Sequence, residues 1–240
     1  MTEQQNTTDN QLTFDLNREF KKGEKQLIAY EYIKKAIVTN VYQAHQQLNE
    51  KDLSVTLGGM SRTPIRDALK RLTYEGFLEN TPGKGMFIAE VSIKDLLEIS
   101  ELRVPLECTA AQLFTERSSS EIVESLAKTL EKHTDLILKK DYVGAVECDN
   151  EFHFTLSRGT MNSRLENTIN QLIQESSRGA FLTKYDVKRL ENSVTQHKLI
   201  FDAIKANDAE LAGERMKEHL QDWIIYIKDL HTYKFFLFNR

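Results

Sequence analysis

The chain has 240 residues, 40% of them hydrophobic and 28% charged, with a formal net charge of −4. That is long enough to bury a full core and to divide into two domains, and an acidic total argues by itself against a nucleic-acid partner. Two cysteines, Cys108 and Cys148, exclude a disulfide framework or zinc ribbon. Both fall in apolar helical patterns and read as buried free thiols.

Residues 1–15 are polar and expected to be disordered. No leader pattern precedes the first periodic segment and no apolar run approaches membrane-spanning length, so a cytoplasmic chain without a membrane partner is expected. The overall charge hides an asymmetry. Residues 16–91 hold 12 Lys/Arg against 9 Asp/Glu, a surplus of three, while the rest is acidic.

Helical spacing of Leu27, Ile28, Tyr30, Ile33, Ile37 and Val41 predicts a helix over 24–40. Asn49 is placed to cap a second helix over 50–57, with Asp52 near its backbone donors. Gly58-Gly59 breaks it. Ser61 is placed to cap a third helix with Pro64 in its first turn and Ile65, Ala68, Leu69 and Leu72 on its inner face. Two β-type runs follow, 77–81 and 86–91, separated by the turn Pro82-Gly-Lys-Gly85. Three helices and a hairpin make a winged helix-turn-helix over 16–91.

The third helix carries Arg62 and Arg66 one turn apart on one face. Planar guanidinium forks match guanine edges and phosphate oxygens, and such a helix belongs in a major groove. Ser61 and Thr63 flank the arginines, Gly83 and Lys84 form the wing tip, and Lys51 heads the second helix. These seven residues are the candidate contacts to double-stranded operator DNA. Lys70 and Arg71 either help with phosphates or sit exposed.

From Ser92 no strand candidate appears. Ser92 caps a helix to about Arg117 with a kink expected at Pro105. Further helices read as 120–139, 142–159, 163–185, 187–206 and 208–228, joined by short polar segments that suit an antiparallel bundle over 92–240. The fold class is mainly α: a winged helix-turn-helix, then an all-α bundle. The aromatic tail, Tyr233 to Phe238, is expected to pack on the bundle or a second subunit.

Asp149 and His153 stand four apart on one helix face beside Val146, Phe152 and Leu156. His197 and His219 follow in later apolar patterns. One carboxylate and three imidazoles from three helices could enclose a divalent metal. The alternative is three unrelated histidines, each satisfied locally, and spacing alone leaves both open. His45, His133 and His231 read as surface or packing residues. Arg103 either faces a cavity, where it would hold a carboxylate, or pairs within its helix with Glu107. Nucleotide-loop and nucleophile motifs are absent.

The run Ser-Arg-Thr-Pro-Ile-Arg-Asp-Ala-Leu-Lys-Arg-Leu72, with Tyr74-Glu-Gly-Phe-Leu78 and Gly83-Lys-Gly85, resembles the GntR family of bacterial transcription regulators, in its FadR-type branch with an FCD effector domain. The resemblance covers residues 24–228. It implies DNA contacts by Arg62, Thr63 and Arg66, a minor-groove wing tip, and a basic contact at Lys51. The family usually has one glycine where this chain has Gly58-Gly59-Met60, so a tilted or shifted recognition helix is expected. The resemblance also implies a Zn²⁺, Ni²⁺ or Mn²⁺ ion on Asp149, His153, His197 and His219, and a small carboxylate effector near Arg103, with Glu107 as its companion. A homodimer reading an inverted repeat, more as repressor than activator, follows. Two other readings stay open: a metal-dependent hydrolase with an appended DNA-binding domain, and a helical interaction module with a structural metal.

Overall fold

The computed structural model describes residues 20, 21, 23–38 and 41–238, with side chains described up to 230. The expected disordered segment 1–15 and the packing of the aromatic tail lie outside the described residues and side chains.

The N-terminal head holds α1 (Glu24–Val38), β1 (Gln47–Leu48), α2 (Glu50–Thr56), α3 (Arg62–Tyr74), β2 (Leu78–Thr81) and β3 (Gly85–Ile88). The two longer helices pack through their apolar stripes. Ile33 and Ile37 of α1 and Ile65, Ala68, Leu69 and Leu72 of α3 are buried in one core with Leu53, Leu57 and Phe77. Asn49 caps α2 as expected, its side-chain oxygen accepting from the Lys51 amide at 2.8 Å. Ser61 holds the N-cap position of α3 in extended conformation but makes no side-chain cap bond.

The hairpin gains a third strand that the sequence reading missed. The sheet order is β1-β3-β2, all antiparallel, with Gln47 opposite Phe87 and Thr81 opposite Gly85. Two residues are too few to show alternation. The wing turn places Gly83 and Gly85 at positive φ, 74° and 102°, where a side chain would be strained. Between α2 and α3, Gly58 and Gly59 also take positive φ, and Ser54 Oγ donates to the Met60 carbonyl at 2.7 Å. The added length is absorbed in that turn, and Met60 enters the head core.

After Ser92, whose Oγ accepts from the Asp95 amide, comes α4 (Ile93–Arg117) with Pro105 inside it. It is followed by α5 (Ser120–Leu138), α6 (Tyr142–Gly159), α7 (Ser163–Leu182), α8 (Val187–Lys205) and α9 (Ala209–Phe238). Side-chain oxygens of Asp141, Asn162, Asp186 and Asp208 accept from the first-turn amides of α6 to α9, which fixes where each begins. The last helix runs ten residues beyond the expected end at 228. Gly159 lets α6 close on Phe114 of α4, since a Cβ there would overlap the ring.

The head does not stand apart from the bundle. Its core continues into Ile137, Ala145, Val146, Phe181 and Leu190. Arg178 of α7 donates to the carbonyls of Gly76 and Ala89, and Lys184 Nζ donates to the carbonyl of Val38 at 2.6 Å. Among the described residues no helix is long and apolar enough to cross a membrane.

Candidate nucleic-acid interface and metal centre

Lys51, Ser61, Arg62, Thr63, Arg66, Gly83 and Lys84 are all exposed, and Lys51 and Arg62 line one surface depression with Gly85 of the wing. The wing is tied to β1 by Gln47 Nε2, which donates to the Lys84 carbonyl at 2.6 Å. Arg66 is not free. Its Nε and Nη2 donate to the two carboxylate oxygens of Glu50, each at 2.9 Å. That hydrogen bond holds the Glu50 carboxyl below its usual range. The partner is a surface carboxylate on α2, so the fork stays on the outside of the head.

Arg71, read as a phosphate helper or an exposed residue, is exposed and tied within the head. Its guanidinium lies over the Tyr30 ring at 3.7 Å and its Nε donates to Glu75 Oε1 at 2.9 Å. Glu75 is buried and also accepts from the Tyr30 hydroxyl at 2.7 Å. Arg71 therefore braces α1 against the end of α3.

Inside the bundle, His153 of α6, His197 of α8 and His219 of α9 converge. His219 Nε2 stands 3.2 Å from His197 Nε2 and 3.3 Å from His153 Nε2. Asp149, one turn before His153, places Oδ1 3.8 Å from His197 Nε2 and accepts from Ser193 Oγ. His197 is packed flat on Phe152, with ring centroids 3.9 Å apart.

An outer partner fixes the tautomer of His219. His219 Nδ1 donates to Gln196 Oε1 at 2.8 Å, and that amide is oriented because its Nε2 donates to Asp222. His153 Nδ1 faces Glu107 Oε2 at 2.5 Å. His219 therefore turns a bare Nε2 toward the Nε2 atoms of His197 and His153. Ligands at about 2.0–2.1 Å in a tetrahedral site stand about 3.3–3.4 Å apart, which the observed separations approach. The three histidines therefore fit a divalent metal, whereas Asp149 groups with His133 and His197 rather than with all three.

The electrostatics agree. Burial pushes His219 down to about 3 and His197 well below its usual value, so both are neutral bases at pH 7. Burial works against the Asp149 charge, but the surrounding imidazoles, His197 foremost, hold its carboxyl well below the carboxylate range. Glu107 is likewise pulled down to about 2: burial opposes its charge, and Arg103 and His153 outweigh it.

Arg103 takes the intrahelical option. Nε donates to Glu107 Oε1 at 2.6 Å and Nη1 to Ser176 Oγ at 3.0 Å, and the side chain is buried. It supports Glu107, which supports His153. His133 is not at the surface. It is 1% exposed, neither ring nitrogen has a hydrogen-bond partner, and its ring centroid is 5.7 Å from that of His197. A ligand atom of His133 lies within 4.8 Å of ligand atoms of Asp149 and His197. Its shared apolar face with Leu126 and Ile137 on α5 was a readable signal. His45 is exposed beside Glu90, and the His231 side chain lies outside the described ones. Cys148 is buried and Cys108 half-buried, both free.

The model for bacterial regulatory proteins of the gntR family matches residues 25–88, and the FCD domain model matches residues 98–222. The Nta operon transcriptional regulator of Aminobacter aminovorans is 32% identical over 162 residues, 65% of this chain and 73% of that protein. The HTH-type transcriptional repressor RspR of Escherichia coli (strain K12) is 27% identical over 197 residues, 80% of this chain and 84% of that protein. The solved structure of E. coli McbR/YncC superposes with a TM-score of 0.72 at 25% identity, covering 86% of this chain and 98% of that one.

Proposed function

The chain belongs to the GntR family of bacterial regulatory proteins, with an FCD domain after its DNA-binding head, and on that premise we propose that it is a metal-dependent, acid-responsive repressor. Family and relatives are transcriptional regulators, not enzymes. In this reading a cytoplasmic homodimer reads an inverted-repeat operator through Arg62, Thr63 and Arg66, with Lys51, Ser61, Gly83 and Lys84 positioning the head on phosphates and the minor groove. Asp149, His153, His197 and His219 hold a zinc, nickel or manganese ion. Bound there, the ion would supply a Lewis-acid anchor for a small carboxylate effector.

The observation that carries the sensing half is the convergence of the Nε2 atoms of His153, His197 and His219 in the buried bundle. Arg103 acts as a positioning residue. It fixes Glu107, which fixes the His153 ring.

α7 supports a route from the pocket to the head. Ser176 accepts from Arg103, and two residues on Arg178 donates to carbonyls at the end of α3 and after β3. A shift of α7 at its pocket side thereby moves the contacts that seat the head. The effector changes DNA binding only if it favours one of these seatings over the other. A screen of small organic acids by thermal shift, with and without chelator, followed by DNA binding with each hit, tests the reading. Metal-dependent hits that lower DNA affinity support it. Metal-dependent hits with no effect on DNA would favour a structural metal instead.

A further inference from the structure

The buried side-chain nitrogens without a hydrogen-bond partner include the Nε and Nη2 atoms of Arg189, Nε1 of Trp223, Nδ1 of His197 and both ring nitrogens of His133. Two of these residues share one place. Arg189 and Trp223 line a cavity of about 690 Å³ between α8 and α9 whose inner wall includes Ser193, Gln196 and His219. Ser193 orients Asp149 and Gln196 orients His219, so this cavity opens onto the histidine cluster.

Arg189 is built to hold something. It lies in the first turn of α8, with its guanidinium carbon 5.3 Å from the Trp223 ring centroid and 5.9 Å from that of Tyr226. Those two rings stack on each other at 5.9 Å. Asp186, three residues before it, is already engaged, because it accepts from the Arg189 amide and from the Tyr226 hydroxyl. Burial disfavours the Arg189 charge and Asp149 is the leading group that sustains it. The two unpartnered nitrogens lie on one edge of the guanidinium, the same edge by which Arg66 grips both oxygens of Glu50. A buried fork with neither donor satisfied is costly unless a ligand completes it.

We propose that the Nε–Nη2 edge of Arg189, with the Trp223 indole N–H, is the carboxylate-binding subsite of the effector pocket, in the cavity that His219 also lines. The assignment rests on the acid-sensing reading and changes its geometry. Arg103 has its Nε and Nη1 engaged by Glu107 and Ser176, which commits those donors to positioning. The ligand is a small carboxylic acid gripped at one end by Arg189, with a second oxygen or nitrogen donor directed at the histidines. The cavity volume suits a metabolite of that size. Tryptophan and tyrosine rings flank its acid end.

The test uses zinc-loaded full-length protein titrated with glycolate, acetate and inorganic phosphate up to about 0.1 M, read by thermal shift. Glycolate should raise the melting temperature most and phosphate least. Arg189→Met should weaken glycolate at least about tenfold, Arg189→Lys less, because it keeps charge but loses the fork, and Trp223→Phe severalfold. Cooperative melting without ligand checks that each variant folds. Unchanged glycolate affinity in Arg189→Met overturns the subsite. So does the failure of every acid to stabilise wild-type protein, or tighter binding of phosphate than of glycolate. Zinc content, measured in parallel, separates the two claims. Arg189-dependent binding without zinc leaves the subsite standing and removes the metal. Zinc binding with Arg189-independent acids does the reverse.

Discussion

Arg66 and Glu50 meet across the turn between α2 and α3, guanidinium edge to carboxylate edge, with both bonds at 2.9 Å. The pair presents the fork already extended, and its partner is a half-buried surface carboxylate that solvent still screens. A base edge or phosphate can take Glu50's place at little cost. Arg66→Ala should therefore weaken binding to a selected duplex by about tenfold or more and relax preference at one base position. Glu50→Gln should tighten binding to any duplex, roughly two- to tenfold at low salt, by removing a negative charge from the phosphate-facing surface. Fluorescence anisotropy against matched and scrambled duplexes checks both.

His197→Ala and His219→Ala each remove a donor from the centre of the cluster. Both variants should bind zinc at least about tenfold more weakly, as elemental analysis after dialysis would show. Glu107→Gln should lower zinc affinity less, because His153 keeps its nitrogen but loses the partner that orients it. Undiminished zinc in the double variant would remove these two ligands.

Acid stability should follow Glu107. Its carboxyl titrates near 2 in the folded chain and near 4.5 in the unfolded reference. The folded pKa is depressed, so the contribution is complete above about pH 4.5 and is lost as pH falls from there toward 2. Urea unfolding of metal-free protein should show a drop in stability between pH 5 and pH 3 that is smaller in Glu107→Gln.

Gly159→Ala should destabilise the bundle by about 1–3 kcal/mol, since the new methyl meets the Phe114 ring in a packed contact between α6 and α4. Chemical denaturation gives the number directly. A loss of less than a few tenths of a kcal/mol would mean that the ring can move aside.

Much of this molecule was legible in its sequence because periodicity and capping act locally. Asn49, Ser92 and the spacing of Ile65, Ala68, Leu69 and Leu72 located α2, α4 and α3, and all three behave as read. The three histidines were found by their apolar neighbourhoods. What local pattern cannot give is which groups meet from distant helices. β1 has two residues and exists only through its pairing with β3. Arg71 read as a phosphate helper or an exposed residue, because its stacking on Tyr30 depends on how α1 crosses α3. His133 had the right periodicity but no partner nearby in sequence. Arg189 had no signal at all, since only the packing of α8 on α9 places its fork in the cavity.

Arg178 should control how firmly the head sits. Its guanidinium serves carbonyls of Gly76 and Ala89, which Arg178→Met would leave unpaired. Limited proteolysis should then cut near residues 89–92 severalfold faster than in wild-type protein, with zinc content unchanged. Equal cleavage rates would mean that the apolar contacts between head and bundle suffice.

The most direct measurement is selection of duplexes from a random-sequence pool by the full-length protein, followed by sequencing. Enrichment of an inverted repeat is expected, lost in Arg66→Ala and weakened for wild-type protein when zinc and an acid that stabilises it are both present. A pool that stays random, or an enriched repeat indifferent to Arg66, would contradict it.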